Sequence, residues 1–320
     1  MQSSARIYVN SCTFNFSTNR LDNLKKAKLT AHLALFTVAV IYGLNYSIAK
    51  DVMPTYIQPL GFILLRVLCA TLLFWVTAKF VIREKIEKKD HLRLLACGLF
   101  GVATNQMLFF SGLNITTPIN AAVMMTTNPI LVLVLSSIIL KETLKWSRIL
   151  GITLGIAGAL FLITKGGAVL DIFDAEKSLG NLLVFLNAAS YGAYLVVVKP
   201  LMSRYSAITV IKWVFLYGLL IVIPFGGSQF AEVSWAALPI GIILKMGFVV
   251  LGTTYLAYLF NVYALKTVTS TTVSFYIYLQ PLVAAIAAIA LGKDALNPIV
   301  LIAAALIFTG VYFVSFYKRK

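Results

Sequence analysis

The stretch NPILVLVLSSIILKETL (residues 128–144) is repeated in outline as QPLVAAIAAIALGKDAL (residues 280–296). Both stretches begin with an amide residue followed by Pro and continue through an apolar run. Both end on Lys, an acidic residue, a small residue and Leu. Further along the chain, Gly158 matches Gly310 at the same spacing. Because the matches keep one order and one spacing, they indicate that the chain consists of two related halves.

A second pair of segments supports this duplication. IYGLNYSIAK at residues 41–50 resembles SYGAYLVVVK at residues 190–199, with a Tyr-Gly pair and a final Lys at the same places. The two matched lysines are Lys50 and Lys199. The similarity therefore reaches from the beginning of each half to its end.

The composition indicates a membrane protein. Of the 320 residues, 60% are apolar and 12% are charged, and the charged share is about half that of an average soluble protein. A helix that crosses a bilayer needs roughly 20 mostly apolar residues, and helices satisfy their own backbone groups in lipid. The alternating pattern of a membrane β-barrel is absent. We therefore expect an all-α polytopic membrane protein with ten transmembrane helices, at residues 31–49, 57–80, 93–113, 120–140, 148–164, 179–198, 209–227, 245–264, 270–291 and 298–316.

Five predicted spans in each half imply that the two five-helix repeats are inverted. After an odd number of crossings the chain is on the opposite side of the membrane, so the second repeat enters it from the other face. Inverted repeats are common in transporters, whose substrate sites lie near the midplane between the repeats. We expect a cytoplasmic N-terminal tail at 1–30, repeat 1 at 31–165, an external linker at 166–178, repeat 2 at 179–316 and a basic cytoplasmic C-terminus at 317–320.

The net charge of +16 is explained by membrane topology and does not indicate nucleic-acid binding. With a cytoplasmic N-terminus, most Lys and Arg residues fall in cytoplasmic tails and loops, as the positive-inside rule requires. The external ones are Lys50, Lys165, Lys177, Lys245 and Lys293. We expect a multi-pass protein of the cytoplasmic membrane with both termini in the cytoplasm. Its partners are the lipid bilayer and a small-molecule substrate; the sequence leaves the oligomeric state open and is compatible with a monomer.

Arg66 is the charged residue that falls within a predicted span. Charged residues inside a membrane face protein or water, and they mark function by default. The functional interpretation is an anchor for a carboxylate or phosphate group of a substrate. The structural alternative is an arginine that binds the carbonyls of a helix end.

The other candidate substrate-binding residues are polar and neutral. Tyr rings offer a flat apolar wall with one hydroxyl, and amides supply both donors and acceptors. These candidates are Tyr42, Asn45, Gln106, Asn128, Tyr191, Tyr194, Tyr258, Tyr276 and Gln280. The alternative is that they form hydrogen bonds between helices, which is a common use of such residues in lipid.

Two prolines and two glycines are candidate hinges. Pro129 and Pro281 lack an N–H, so they either bend a helix whose freed carbonyls line the cavity or form static kinks. Gly43 and Gly192 are either hinges or points of close helix packing. Every Asp and Glu lies in a loop, a tail or a helix end, which disfavours a proton relay built on a mid-membrane carboxylate. We therefore expect facilitated transport or exchange, or proton coupling by an unobvious route.

Several motifs resemble the drug/metabolite transporter superfamily, specifically its EamA-type members. The motifs are GLNYSIAK at 43–50, Arg66, GLFGVATNQMLFFSGLNITTPINAAVM at 98–124, Pro129 with Glu142, and VLGTTYLAYLFNVYALK at 250–266. The resemblance implies a secondary transporter with ten helices and, by analogy, export. Two positions differ from many members of the family, which have Trp in place of Tyr42 and Glu in place of Asp294.

These observations predict a secondary transporter that moves small organic metabolites, amino-acid-like or drug-like, by alternating access. The first alternative is a polar-lined membrane channel. The second, an integral-membrane enzyme, is disfavoured because His32 and His91 lie at span ends and cannot form a metal cluster. A Gly-rich phosphate loop is also absent from the sequence. We expect no catalytic residues, no metal site and no cofactor.

Overall fold

The computed structural model of the protein describes residues 3–81, 84–163, 175–290 and 298–315. Within those ranges the chain forms fourteen α-helices and no strand. The helices are α1 (Ser3–Val52), α2 (Pro59–Val81), α3 (His91–Gly98), α4 (Thr104–Ile115), α5 (Pro118–Met125), α6 (Asn128–Ile139), α7 (Trp146–Ile163), α8 (Ala175–Val198), α9 (Ala207–Ala231), α10 (Ile240–Phe248), α11 (Ala257–Ala264), α12 (Ser270–Phe275), α13 (Leu279–Ala290) and α14 (Pro298–Ser315).

In the described part of the chain, seven helical segments are long and apolar enough to cross a membrane. They are Lys26–Val52, Pro59–Phe80, Lys88–Ile115, Asn120–Ile139, Lys177–Ser203, Ala207–Ala231 and Ile240–Ala264. Two shorter apolar helices, Trp146–Phe161 and Leu301–Val314, coincide with the predicted fifth and tenth spans. The predicted ninth span is divided between α12 and α13. The predicted all-α polytopic membrane fold is confirmed, whereas the count of ten crossings stays a prediction.

Several predicted features lie outside the described residues. They include most of the linker at 166–178, the turn GKDALNP at 292–298 with Lys293 and Asp294, and the C-terminus at 317–320. The division into two repeats at that linker therefore remains a proposal.

The matched glycines bring the predicted fifth and tenth spans together. A Cβ atom on Gly151 of α7 would lie 2.8 Å from the backbone oxygen of Gly310 in α14. One on Gly310 would lie 2.7 Å from the oxygen of Gly151. Gly158 also faces α14, at the backbone of Ala303. Helices in lipid associate through such small residues because their backbones can then touch. The matched glycines Gly158 and Gly310 therefore both lie where α7 packs against α14, although each faces a different part of the opposite helix.

The predicted fourth and ninth spans are both discontinuous. The fourth is interrupted at Thr126 and Thr127, between α5 and α6, and the ninth at a tight turn over Tyr276–Tyr278, between α12 and α13. At the first break, threonine side chains form hydrogen bonds with backbone oxygens, since Thr126 Oγ1 donates to the oxygen of Val123 at 2.6 Å. Discontinuous helices in corresponding positions of two repeats are typical of transporters.

The two prolines proposed as hinges both lie at the beginning of a helix, and a hinge at either position stays a prediction. Pro129 lies in the first turn of α6 and Pro281 in the first turn of α13. A first-turn proline lacks an N–H that would have had no partner within the helix in any case. The prolines therefore begin helices after a break, and neither removes a hydrogen bond from the middle of a helix.

Lys50 and Lys199 perform the same structural task in the two halves. The Nζ of Lys50 donates to the backbone oxygens of Leu113, Asn114 and Thr116, at the end of α4. The Nζ of Lys199 donates to the oxygens of Leu265 and Val268, just beyond α11. The last carbonyls of a helix lack partners within it and carry partial negative charge. Each lysine therefore links the end of the first predicted span of its half to the end of the third.

We expect Lys199→Met to lower the free energy of unfolding by about 2 kcal/mol, because charge-assisted hydrogen bonds to helix-end carbonyls would be lost. Thermal unfolding of the purified protein in detergent measures the effect. Lys266→Met is the matched control, since Lys266 is exposed at the same end of the molecule. An equal loss in both variants would contradict this role for Lys199.

Candidate functional site

A cavity lies among helices from both halves of the chain, and it encloses about 730 Å³ when the space that is open to solvent is counted. Its wall contains eight of the ten substrate-binding residues predicted from the sequence: Tyr42, Asn45, Arg66, Gln106, Tyr191, Tyr258, Tyr276 and Gln280. The fold therefore brings together residues that are more than 200 positions apart in the chain.

Arg66 is the charged residue of the described cavity wall. Its side chain is 3% exposed. The Nε atom donates to Thr254 Oγ1 at 3.0 Å, and Nη2 donates to Thr253 Oγ1 at 3.2 Å. The guanidinium carbon lies 4.1 Å from the centre of the Phe110 ring, which is a cation–π geometry. Among the described residues Nη1 has no hydrogen-bond partner. The structure does not support the alternative that Arg66 binds helix-end carbonyls.

The two threonines that hold Arg66 belong to a π-helical segment, Val249–Leu256. Thr253 Oγ1 donates to the oxygen of Val249 at 2.6 Å, and Thr254 Oγ1 donates to the same oxygen at 2.9 Å. Because each hydroxyl hydrogen is used in this way, the oxygen lone pairs are free to accept from the guanidinium. π-helical turns often occur at functional sites. The sequence analysis missed these threonines, although two consecutive Thr in an apolar span were a visible signal.

A second π-helical turn, Leu99–Ala103, lies at the corresponding place in the predicted third span. The oxygen of Gly101 in this turn lies 2.7 Å from the Tyr258 hydroxyl, which donates to it. Asn105 Oδ1 is 3.1 Å from the same hydroxyl. Gln106 Nε2 donates to Tyr258 at 3.5 Å. Tyr258, in α11 just after the π-helical segment of its own half, thus binds the π-helical turn of the other half.

A further hydrogen bond in the cavity wall joins helices of the two halves. Tyr46, on α1, donates its hydroxyl to Gln280 Oε1 on α13 at 3.1 Å. Nearby, Tyr276 is hydrogen-bonded to His32 Nδ1 at 2.8 Å. Some of the predicted polar residues therefore form hydrogen bonds between helices, which was the alternative to substrate binding, and they also line the cavity.

Asn128 and Tyr194 lie outside the cavity wall. Asn128 is fully buried, and its Nδ2 atom donates to the oxygen of Ala188 at 2.5 Å. Tyr194 is also fully buried, with its ring packed against Gly101. Tyr194 is on α8, which contributes Asn187 and Tyr191 to the wall, but its position around that helix directs it into a packing contact. Asn128 is on α6, which contributes none of the described wall residues.

Gly43 and Gly192 lie at close contacts between helices. A Cβ atom on Gly43 would be 2.9 Å from the oxygen of Gln280, and one on Gly192 would be 3.2 Å from Val132 Cγ2. These glycines pack α1 against α13 and α8 against α6. Close packing is therefore their observed role, and a hinge at either position remains a proposal.

The sequence-based list of site residues omitted several residues of the cavity wall. The most informative omission is Asn187, whose Nδ2 atom donates to the oxygen of Asn105 at 2.7 Å. Apolar wall residues were also omitted, because nothing in an apolar span distinguishes a residue that lines a cavity from one that faces lipid. These residues are Val38, Ala39, Phe109, Phe110, Met125, Val273 and Ile277.

Comparisons with known proteins agree with this architecture. The sequence profile of the EamA-like transporter family matches residues 29–164 and again residues 178–316. The chain is 25% identical over 299 residues to the uncharacterized transporter YyaM of Bacillus subtilis (strain 168), covering 91% of this chain and 97% of that protein.

A second relative comes from Streptantibioticus cattleyicolor and is named "Probable terminal-alkyne amino-acid exporter". It is 22% identical over 227 residues, which cover 71% of this chain and 74% of that protein. A crystal structure of another protein matches with a TM-score of 0.70 at 17% identity, over 90% of this chain and 98% of the other. That structural similarity concerns the fold.

Proposed function

Since the chain belongs to the EamA-like transporter family, as its motifs predicted, we propose that it moves small organic metabolites across the cytoplasmic membrane by alternating access. The observation that carries the proposal is the cavity between the two halves, with the buried cation Arg66 and a polar wall. We further propose that Arg66 supplies a fixed positive charge and that the tyrosines and amides of the wall shape the pocket. Export is the favoured direction, by analogy with the relative named as an exporter.

Alternating access requires contacts that close each face of the molecule in turn, and two ion pairs between the halves are suited to this task. The first ion pair, which we call the cytoplasmic tie, joins Arg204 Nη2 to Asp90 Oδ1 at 2.5 Å. The second ion pair, which we call the external tie, joins Lys245 Nζ to Asp51 Oδ2 at 2.6 Å. Each tie links the region after the first span of one half to the beginning of the third span of the other half. The two ties therefore occupy corresponding positions on opposite faces of the proposed inverted repeat.

The cytoplasmic tie is reinforced by its neighbours. Tyr205 donates its hydroxyl to Asp90 Oδ2 at 2.8 Å, and the backbone N–H of Ser206 donates to Glu84 Oε2 at 2.9 Å. Burial raises the pKa of the Glu84 carboxyl, but the hydrogen bonds from Thr209 and Ser206 together lower its pKa below the ordinary value. Glu84 is therefore ionised at neutral pH, and its contribution is lost only as the pH falls through that lowered pKa. The external tie has no comparable support among the described residues, and both of its side chains are more than a third exposed.

A counterflow experiment tests the proposal. Purified protein is reconstituted in vesicles loaded with an unlabelled solute, and uptake of the labelled solute is followed over a panel of organic acids, amino acids, nucleosides and amines. We expect saturable uptake that is accelerated by the internal solute and proceeds without a pH gradient. Uptake that neither saturates nor responds to internal solute would instead support a channel. Absence of flux across the whole panel would count against transport.

The inverted topology makes a separate prediction. Reporter fusions after Glu142 and after Asp294 are expected to give opposite signals, cytoplasmic for the turn KETLKWSR and external for the turn GKDALNP. The reason is that the two turns are equivalent positions of repeats that enter the membrane from opposite faces. Fusions at residue 320 should give the cytoplasmic signal and serve as the reference. The same signal after Glu142 and Asp294 would refute the inversion.

A further inference from the structure

The buried positive charge of Arg66 implies a negatively charged partner that the described cavity wall does not supply. Arginine keeps its charge in proteins, and an uncompensated buried charge is strongly unfavourable. Among the described residues of the cavity wall none is acidic, and the two hydroxyls of Thr253 and Thr254 are neutral acceptors. Nη1 is left without a partner. The charge is thus held in place by the protein but is not neutralised by it.

The threonines also set the direction of the guanidinium. Thr254 accepts from Nε and Thr253 from Nη2, so two of the three nitrogens are fixed. Phe110 covers one face of the group. Nη1 is the nitrogen that remains for a ligand. A planar carboxylate is suited to this group because charge-assisted hydrogen bonds to arginine are short and directional.

Among the fully buried polar atoms of the described wall, the others without a partner are acceptors. They are Asn45 Oδ1, Gln106 Oε1 and Asn187 Oδ1. The amide orientation of Asn187 is fixed, because its Nδ2 atom donates to a backbone oxygen. That of Gln106 follows from the Tyr258 hydroxyl, whose hydrogen is used on the oxygen of Gly101. A solute that brings a hydrogen-bond donor as well as a negative charge would satisfy these acceptors together with Arg66.

The positive charge already in the cavity decides which kind of hydrogen-bond donor a solute can carry. An ammonium group on the solute would neutralise no acid and would add a second positive charge to a cavity that already holds one. A hydroxyl or an amide N–H satisfies the acceptors without adding charge. We propose that the transported solute is a net monoanion, a carboxylate that also carries a neutral hydrogen-bond donor such as a hydroxyl. This inference rests on the proposed transport function and narrows its substrate class.

A matched ligand series tests the inference on the full-length protein. The series consists of 3-phenyllactate, phenylalanine and phenylalaninol, which share one aromatic body and carry a net charge that is negative, zero and positive. An aromatic body is chosen because Phe109, Phe110 and several tyrosines line the cavity. Thermal stabilisation in detergent reports binding, and counterflow in vesicles reports transport.

We expect 3-phenyllactate to bind at least about tenfold more tightly than phenylalanine, and phenylalaninol not to bind. Arg66→Gln should weaken the binding of 3-phenyllactate at least about tenfold. Arg66→Lys should retain part of it, because lysine keeps the charge but lacks the fork of donors. For the positioning residue Thr254, Thr254→Val should weaken binding of the anion, and Thr254→Ser, which keeps the hydroxyl, should restore it.

Equal or tighter binding of phenylalanine or phenylalaninol would overturn the inference. So would an unchanged affinity for 3-phenyllactate in Arg66→Gln, or failure of all three compounds to bind. These outcomes leave the transport function standing if another solute shows saturable counterflow. Absence of saturable flux for any solute would instead remove the proposed function itself.

Discussion

Gly101→Ala is expected to lower the free energy of unfolding by about 3 kcal/mol and to reduce the yield of folded protein. A Cβ atom at this position would lie under 3.0 Å from three atoms of the Tyr194 ring. The ring cannot yield easily, because Tyr194 is fully buried. Additional volume in a closely packed interior usually costs about 1–3 kcal/mol. The variant also disturbs the π-helical turn whose carbonyl binds Tyr258. Thermal unfolding in detergent, followed by tryptophan fluorescence, measures the loss.

The chain offers a matched control for this substitution. Gly247 lies in α10, and a Cβ atom there would have no neighbour within 4 Å. Ala has a higher helix propensity than Gly, so Gly247→Ala should leave stability unchanged or raise it slightly. If both variants unfold at the same temperature, Tyr194 does not constrain Gly101 as the structure indicates.

Asp90→Asn is expected to shift the protein towards an inward-open state by a factor of about ten. The substitution removes the charge that binds Arg204 and weakens the acceptor of the Tyr205 hydroxyl. Hydrogen bonds to charged groups are stronger than those between neutral ones, and a change in the population of two states follows the difference in their free energy. A single cysteine at Val38 in the cavity wall, in a background free of other cysteines, reports accessibility to an impermeant maleimide. Its labelling should be faster from the cytoplasmic side of inverted vesicles.

The external tie supplies the comparison. Asp51→Asn removes an ion pair whose side chains are 56% and 38% exposed, and pairs that exposed contribute little. We expect at most a small increase in labelling of the same cysteine from the external side. Exchanging the charges of the cytoplasmic tie, with Asp90→Arg and Arg204→Asp together, should partly restore the slow labelling. Equal effects of Asp90→Asn and Asp51→Asn would show that the two ties do not differ in strength.

The fold was predictable because its signals are long and redundant. Apolar runs of about 20 residues predict membrane helices with little ambiguity, and the ordered matches between residues 128–144 and 280–296 indicated two related halves. The exact ends of the helices were not predictable from these signals. The break at Tyr276–Tyr278 depends on tertiary packing, and the apolar run around it reads as one continuous helix.

The candidate site was predictable where residue type alone is informative. A charge such as Arg66 in an apolar span can hardly avoid a special role. Asn128 resembles Gln280 in sequence but is rotated into packing against α8, and a list of polar residues contains no information about such a rotation. Thr253 and Thr254 contact Arg66 through a π-helical segment, which an assumption of regular α-helix would place incorrectly.

The π-helical turn at Leu99–Ala103 has a consequence for comparing this chain with its relatives. Such a turn contains one residue more than the α-helical path it replaces. Deleting a single residue there would restore regular geometry and leave the downstream residues, Asn105 and Gln106 among them, facing nearly as before, because the wide turn absorbs the extra residue. What would change is the widened turn itself, whose Gly101 oxygen accepts from the Tyr258 hydroxyl. A one-residue gap in this part of an alignment is therefore expected to identify a relative that lacks the π-helical turn, even though the gap lies in the middle of a helix.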